Sequence, residues 1–365
     1  MAPVIVQARR EPRRWRPIVI STGQQADLVN SALDSLGIVA DVDLQVMRPH
    51  QPLSQLTGQC ISRIGEVLRD VSPRLVVVQG DTASAVAGAL SAFYERIPVA
   101  HVEAGLRTMD LSAPFPEEAN RRIVSRVAKL HFSPTVDAKA NLLAEGIPAH
   151  EITVTGNTVV DAIQMLTPYI QSTSFELDCP NDARVVLVTA HRRENLGKPL
   201  RSVCEALRDL ADRHRDLHMV FVTHPNPAAR AMAQRQLQAH PRITLSPPLP
   251  YLGLLRLMSC SWLILTDSGG LQEEAPSFGR PVLVLRHQTE RTEGLLAGCA
   301  RLVGTAKDRI VSEVERLIDD PSQYAQMVPR SNPYGDGKAS RRIMKSITKF
   351  IQAGALRSSA VCQTG

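Results

Sequence analysis

Short apolar runs recur along the chain, each closed by glycine or a polar residue, and alternate with longer stretches of helical period. In the first half, positions 17–21, 75–79, 99–102, 130–133 and 152–155 read as strands. Positions 25–36, 53–71, 83–95, 117–127 and 135–145 read as the helices between them. Runs such as 75–78 are continuously apolar rather than alternating, which predicts strands buried on both faces of a parallel sheet. After a polar, proline-marked stretch at 171–184, a second series begins: 185–189, 218–222, 243–245, 263–266, 281–285 and 300–303, again with helices between. This alternation predicts an α/β chain of two doubly wound, Rossmann-like domains at 1–170 and 171–337. A last helix is expected at 338–353, after the Pro333-Tyr334-Gly335-Asp336-Gly337 turn, and a disordered tail at 354–365 with little to bury.

Charge narrows the picture only slightly. The net charge of +6 owes much to Arg9, Arg10, Arg13, Arg14 and Arg16, which read as the end of a first helix and its turn. With aromatics at 4% and the other charges mixed, no basic, aromatic stripe for nucleic acid is present. The 6 cysteines are scattered without a CxxC pair, which argues against a zinc ribbon or a secreted disulfide framework. No apolar run is long enough to span a bilayer, and the expected compartment is the cytosol.

Candidate chemistry sits where the strands end. In parallel sheets ligands gather outside the carboxyl ends of the strands, where Asp81 and Glu103 fall, and Glu117 opens a helix close by in sequence. Three carboxylates there suggest proton transfer on a small substrate. In the second half, Asp267-Ser268-Gly269-Gly270 follows a strand. Ser268 suits an N-cap, the glycines allow close backbone approach, and a diphosphate fits the positive end of the next helix. Glu274 could accept hydrogen bonds from ribose hydroxyls, and Arg291 supplies a cation. His191 follows another strand beside two arginines, where it reads equally as a site residue or part of a basic surface loop. His224 holds the same position one strand later. Other motifs fail. His101-Val102-Glu103 lacks the Pro-Cys-x-x-Cys partner of a zinc deaminase, Asp41-Val42-Asp43 reads as a solvated turn, and there is no GxGxxG for NAD.

The segments Gly80-Asp81-Thr82, the run from His101 to Thr108, the run from Pro116 to Arg121, the run from His191 to Asn195, the run from Asp267 to Pro276 and Ser331-Asn332-Pro333-Tyr334-Gly335-Asp336-Gly337 resemble the non-hydrolysing UDP-N-acetylglucosamine 2-epimerases. The resemblance implies a GT-B-like fold with an interdomain cleft that holds UDP-GlcNAc, and its interconversion with UDP-ManNAc. It further implies a homodimer with neither metal nor NAD and a last helix that returns to the first domain, while composition and the short apolar runs give no nucleic-acid or membrane partner. By resemblance, Asp81, Glu103 and Glu117 are the acid/base carboxylates, with His191 assisting. Ser268, Gly269, Gly270, Glu274 and Arg291 match UDP-binding positions, and 251–254 should lie near the uracil. Gln24, Arg63, Arg192 and His224 match a second, allosteric UDP-GlcNAc site, but Gln25 and Asp27 do not, so activation by substrate is not expected. The family also carries an apolar strand and a phosphate-binding loop ahead of the position of Met1. The first domain is therefore expected to lack its central first strand, through a recorded start downstream of the true one or through loss. Alternatives are a hydrolysing 2-epimerase releasing ManNAc and UDP, a GT-B glycosyltransferase, and an inactive UDP-sugar-binding homologue.

Overall fold

The structure is a computed structural model that describes residues 1–23, 36–48, 51–173, 182–190, 192, 195–223, 227–238 and 240–361. The chain divides into two compact units, one made of Met1–Met165 with Gly335–Gly365 and the other of Leu166–Tyr334.

In the first unit, strands β3 (Val76–Gln79), β4 (Val99–Val102), β5 (Leu130–Ser133) and β6 (Ile152–Val154) form a four-stranded parallel sheet in sequential order. Helices α2 (Leu53–Val71), α3 (Ala83–Tyr94), α4 (Glu117–Val127) and α5 (Val136–Ala144) intervene, close to the predicted spans. One face of the sheet packs Val78 and Val99 against Ile64, Leu68, Val86 and Val124. The other packs Ala100, Val102, Leu130 and Phe132 against α1 (Ala2–Arg9) and α14 (Ala339–Val361), through Val4, Ala8, Ile343, Met344 and Ile347. Each fully buried valine, leucine, isoleucine, phenylalanine or methionine among them stabilises the fold by about 1.5–3 kcal/mol. The start of α14 is fixed by buried Asp161, which accepts hydrogen bonds from Ala339 N (3.1 Å), Ser340 N (2.8 Å) and Ser340 Oγ (2.6 Å). A carboxylate at a helix N-terminus is favoured by the unpaired N–H groups there.

Three readings of the sequence change. The strand expected at 17–21 shrinks to β1 (Ile20–Ser21), which among the described residues pairs, in parallel, with β2 (Val42–Asp43) alone. Among the described residues no ladder joins β1 to β3, and with a single neighbour there is little to propagate a longer strand. Asp41-Val42-Asp43 is consequently a strand and its approach rather than a solvated turn, with Asp41 Oδ2 accepting from Val19 N at 2.7 Å. The last helix continues to Val361 instead of stopping near Gly354, because an isolated helical glycine costs only about 1 kcal/mol and no proline follows. The helix expected at 25–36 falls almost wholly outside the described residues.

The second unit has six parallel strands: β7 (Arg184–Thr189), β8 (Leu217–Val222), β9 (Ile243–Ser246), β10 (Leu263–Thr266), β11 (Val282–Val284) and β12 (Ala300–Leu302). Their order in the sheet is β12-β11-β10-β7-β8-β9. Strand order therefore reverses between β7 and β10, where doubly wound folds bind their ligands. The centre of the sheet is fully buried on both faces: Val186, Val188, Leu263 and Leu265 point one way, Leu187, Val220, Ile264 and Val282 the other.

Candidate active site

In the first unit the acids collect at the carboxyl ends of β3 and β4. Asp81 follows β3, and its Oδ2 is gripped by the Arg121 fork, Nε and Nη2 both at 2.8 Å. Asn120 Nδ2 donates to the Asp81 carbonyl at 2.7 Å. Thr82 caps α3, its Oγ1 accepting from Ala85 N at 3.2 Å. Glu103 follows β4 in a left-handed conformation (φ 64°), uncommon for a residue with a side chain. Its Oε2 accepts from Gln79 Nε2 at 3.3 Å and lies over Gly80, 3.7 Å from where a β-carbon at that glycine would stand. Glu117 is the first residue of α4, half-buried, and Asn120 and Arg121 tie that same turn to Asp81.

Beneath these acids is a buried polar layer. Glu118, fully buried, accepts from Thr108 N at 3.0 Å, from Arg121 Nη1 at 3.4 Å and from Arg122 Nε at 3.2 Å. Arg107 is consumed by Glu145 (2.6 and 2.9 Å), Ser125 Oγ (2.9 Å) and the Leu106 carbonyl (2.8 Å), so its place in the motif is architectural. Gly105 (φ 98°) lets this segment pass α5, since a β-carbon there would come within 2.1 Å of the Ala138 carbonyl oxygen.

The second unit builds its site on the loops after β7 and β10. Buried Asp267 joins them, its Oδ2 accepting from Arg192 N (2.9 Å) and Asn195 Nδ2 (2.8 Å) while its carbonyl accepts from Arg192 Nε (3.0 Å). Ser268 occupies the N-cap position of α10 (Gly269–Glu274), as expected, but its side chain makes no capping bond. Gly269 is a close-approach glycine: a β-carbon there would lie 2.9 Å from Arg291 Cζ. Arg291 is not the bare cation expected from sequence. Its Nε donates to Glu273 Oε1 at 2.9 Å and its Nη1 to Glu290 Oε1 at 2.5 Å, while Arg286 also reaches Glu290 at 3.0 Å. These buried carboxylates compensate its charge and fix its direction. Tyr334 and Asn332 brace the cluster through the Arg291 carbonyl (3.3 Å) and the Glu273 carbonyl (2.9 Å). Tyr251 donates to Glu274 Oε1 at 2.9 Å. Burial pushes the Glu274 carboxyl up to about 7 against the opposing effect of that hydrogen bond. Burial likewise pushes the Tyr251 hydroxyl well above its ordinary range.

A family model for UDP-N-acetylglucosamine 2-epimerase matches residues 7–348. The chain belongs to this family. The Escherichia coli K12 UDP-N-acetylglucosamine 2-epimerase is 43% identical over 356 residues, covering 95% of this chain and 94% of the relative. A crystal structure of UDP-GlcNAc 2-epimerase from Neisseria meningitidis bound to UDP-GlcNAc is similar with a TM-score of 0.92 and 41% identity, covering 96% of each chain. The Methanocaldococcus jannaschii UDP-GlcNAc 2-epimerase in complex with UDP-GlcNAc and UDP is similar with a TM-score of 0.79 at 30% identity, covering 95% of both chains.

Within that family frame, the structure places Asp81, Glu103 and the Glu117 turn at adjacent strand ends of the first unit. It places Ser268, Gly269, Gly270, Glu274, Arg291 and Arg192 at the strand-order reversal of the second. Arg63 lies exposed on α2. His191, His224 and Gln24 lie outside the described residues. Sequence reasoning missed Gln79 and Asp267, although each sits at a strand end, the criterion that picked out Asp81. It also gave no role to Arg121, four residues after Glu117 and hence one helical turn along the same face. Glu273 and Glu290 carried no comparable signal. No helix among the described residues is long and apolar enough to cross a membrane.

Proposed function

We propose that this chain interconverts UDP-GlcNAc and UDP-ManNAc, inverting carbon 2 without net hydrolysis. The observation that carries the reading is the grouping of Asp81, Glu103 and the Glu117 turn by Gln79, Asn120 and Arg121. It is supported by membership of a family whose solved members include one bound to UDP-GlcNAc. The proton on carbon 2 is not next to a carbonyl and is too weakly acidic for direct removal. Breaking the bond between carbon 1 and the UDP oxygen first puts positive character on carbon 1 and acidifies that proton. UDP leaves with the bonding electrons, a carboxylate takes the proton, and a 2-acetamidoglucal remains. Reprotonation at carbon 2 from the opposite face and return of UDP to carbon 1 complete the inversion.

In this reading Asp81, Glu103 and Glu117 supply acid and base for the two faces, and His191 assists at the diphosphate or sugar. Ser268, Gly269, Gly270 and Arg291 hold the diphosphate, and Glu274 receives the ribose hydroxyls. The active form is a homodimer, which light scattering of the purified chain would test. NMR of the products from UDP-GlcNAc decides between the reactions. Epimerisation gives an amino sugar still joined to UDP, whereas free ManNAc as the sole sugar product would establish the hydrolysing reaction. Equal UDP binding by wild type and Glu117→Gln with turnover in neither would establish a binding protein.

A further inference from the structure

His101 belongs to none of the roles above, yet it lies directly beneath the acids. It is fully buried in β4, and its Nε2 is 2.9 Å from the carbonyl oxygen of Gly80, the residue before Asp81. That carbonyl has lost its normal partner. Gly80 N donates to Val102 O at 3.1 Å, so the next rung of a regular parallel ladder would run from Ala104 N to Gly80 O. Instead, the left-handed turn at Glu103 swings the Ala104 N–H to the other neighbouring strand, where it donates to Phe132 O at 3.1 Å. The conformation that presents Glu103 therefore leaves the Gly80 carbonyl without a backbone donor among the described residues, and the imidazole occupies the place of the missing rung.

We propose that His101 is a positioning residue for Asp81: its Nε2–H holds the Gly80–Asp81 peptide in the orientation that presents the Asp81 carboxylate. The Gly80 carbonyl and the Asp81 N–H share one rigid plane, so a bond to the oxygen fixes the direction in which the Asp81 side chain leaves the backbone. Gly80 sits at φ 70°, a region that by itself leaves this plane free to turn. Asp81 is then pinned at three points: the preceding peptide by His101, its own carbonyl by Asn120, and its carboxylate by Arg121. His101 Nδ1 is buried without a hydrogen-bond partner, which matches a neutral ring carrying its proton on Nε2.

The proposal rests on the epimerase reading and is tested beside it. His101→Leu removes the donor at similar volume, and His101→Gln restores an N–H near the Nε2 position. With UDP-GlcNAc as substrate, His101→Leu is expected to lower kcat about 10- to 100-fold, the scale of a misplacement of about 1 Å, with KM and UDP affinity nearly unchanged. His101→Gln should recover most of that loss at the same thermal midpoint. Equal kcat in the two variants, or wild-type kcat in His101→Leu, overturns the proposal. NMR of isotope-labelled histidine showing the His101 proton on Nδ1 overturns it as well. Asp81→Asn separates the two failures. If it abolishes turnover while His101→Leu does not, only the positioning role falls. If it turns over normally, the catalytic reading of Asp81 falls and the positioning role with it.

Discussion

The buried histidines of the first sheet give the structure a measurable sensitivity to acid. His101 and His131 face each other as register partners on β4 and β5, both without solvent exposure. Burial, aided by nearby Arg107, lowers His101 from 6.5 to about 3 and His131 from 6.5 to about 4. Well above pH 6.5 both rings are neutral in the folded and unfolded chain alike, and the folded state bears no penalty. As the pH falls, the unfolded chain takes up protons first, so stability is lost from about 6.5 down to about 3 for His101 and about 4 for His131. At about pH 5 each ring accounts for roughly 2 kcal/mol, or about 4 kcal/mol together. His101→Gln should abolish its share. The chain has 2 tryptophans, and Trp15 packs on the first unit's core, so a Trp262→Phe background leaves a fluorophore that reports that unit. Urea unfolding of this protein with and without His101→Gln, at about pH 7.5 and about pH 5, isolates the ring because other titrating groups cancel in the difference. The stability gap should shift by about 2 kcal/mol in favour of the variant at the lower pH, or about 0.7–1 M urea for an m-value of about 2–3 kcal/mol/M. A gap that does not change with pH refutes the reasoning.

Three further substitutions have defined outcomes. Glu274, raised from 4.5 to about 7, has the opposite dependence: its favourable contribution is complete below 4.5 and lost as the pH rises through 7. Glu274→Gln, followed by Trp262 fluorescence in a Trp15→Phe background, should therefore stabilise the second unit by about 3 kcal/mol near pH 8, with no gain near pH 4.5, while UDP affinity measured by calorimetry falls. Asp81→Asn should keep the circular dichroism spectrum and UDP affinity but lose at least about 100-fold in kcat. Gly105→Ala forces a β-carbon to within 2.1 Å of the Ala138 carbonyl oxygen at φ 98°, and should destabilise the first unit by about 3 kcal/mol or more in urea unfolding.

Much of this molecule is legible in its sequence because parallel sheets write themselves as apolar runs and align their carboxyl ends. Asp81 and Glu103 are 22 positions apart in the chain, yet each follows a strand that pairs with the other, so their proximity follows from the pattern alone. The same logic brings Asp267 to Arg192 across the strand-order reversal. What is not legible depends on exchanges between distant elements. Arg291 reads as a cation for phosphate until Glu273, from the helix after β10, is seen to compensate it together with the adjacent Glu290. Val42–Asp43 is too short a strand to carry a periodic signal. The redirected Ala104 N–H, and hence the purpose of His101, depends on one backbone dihedral at Glu103 that no residue pattern encodes.

The central claim is that hydrogen leaves and returns at carbon 2 while UDP is recovered on the sugar. Incubation with UDP-GlcNAc in heavy water, followed by NMR and mass analysis of the nucleotide sugars, tests it most directly. The expected result is deuterium at carbon 2 of the UDP-ManNAc formed, with nucleotide sugar conserved. UDP-ManNAc that retains the original hydrogen, or free amino sugar and UDP in its place, would contradict the account.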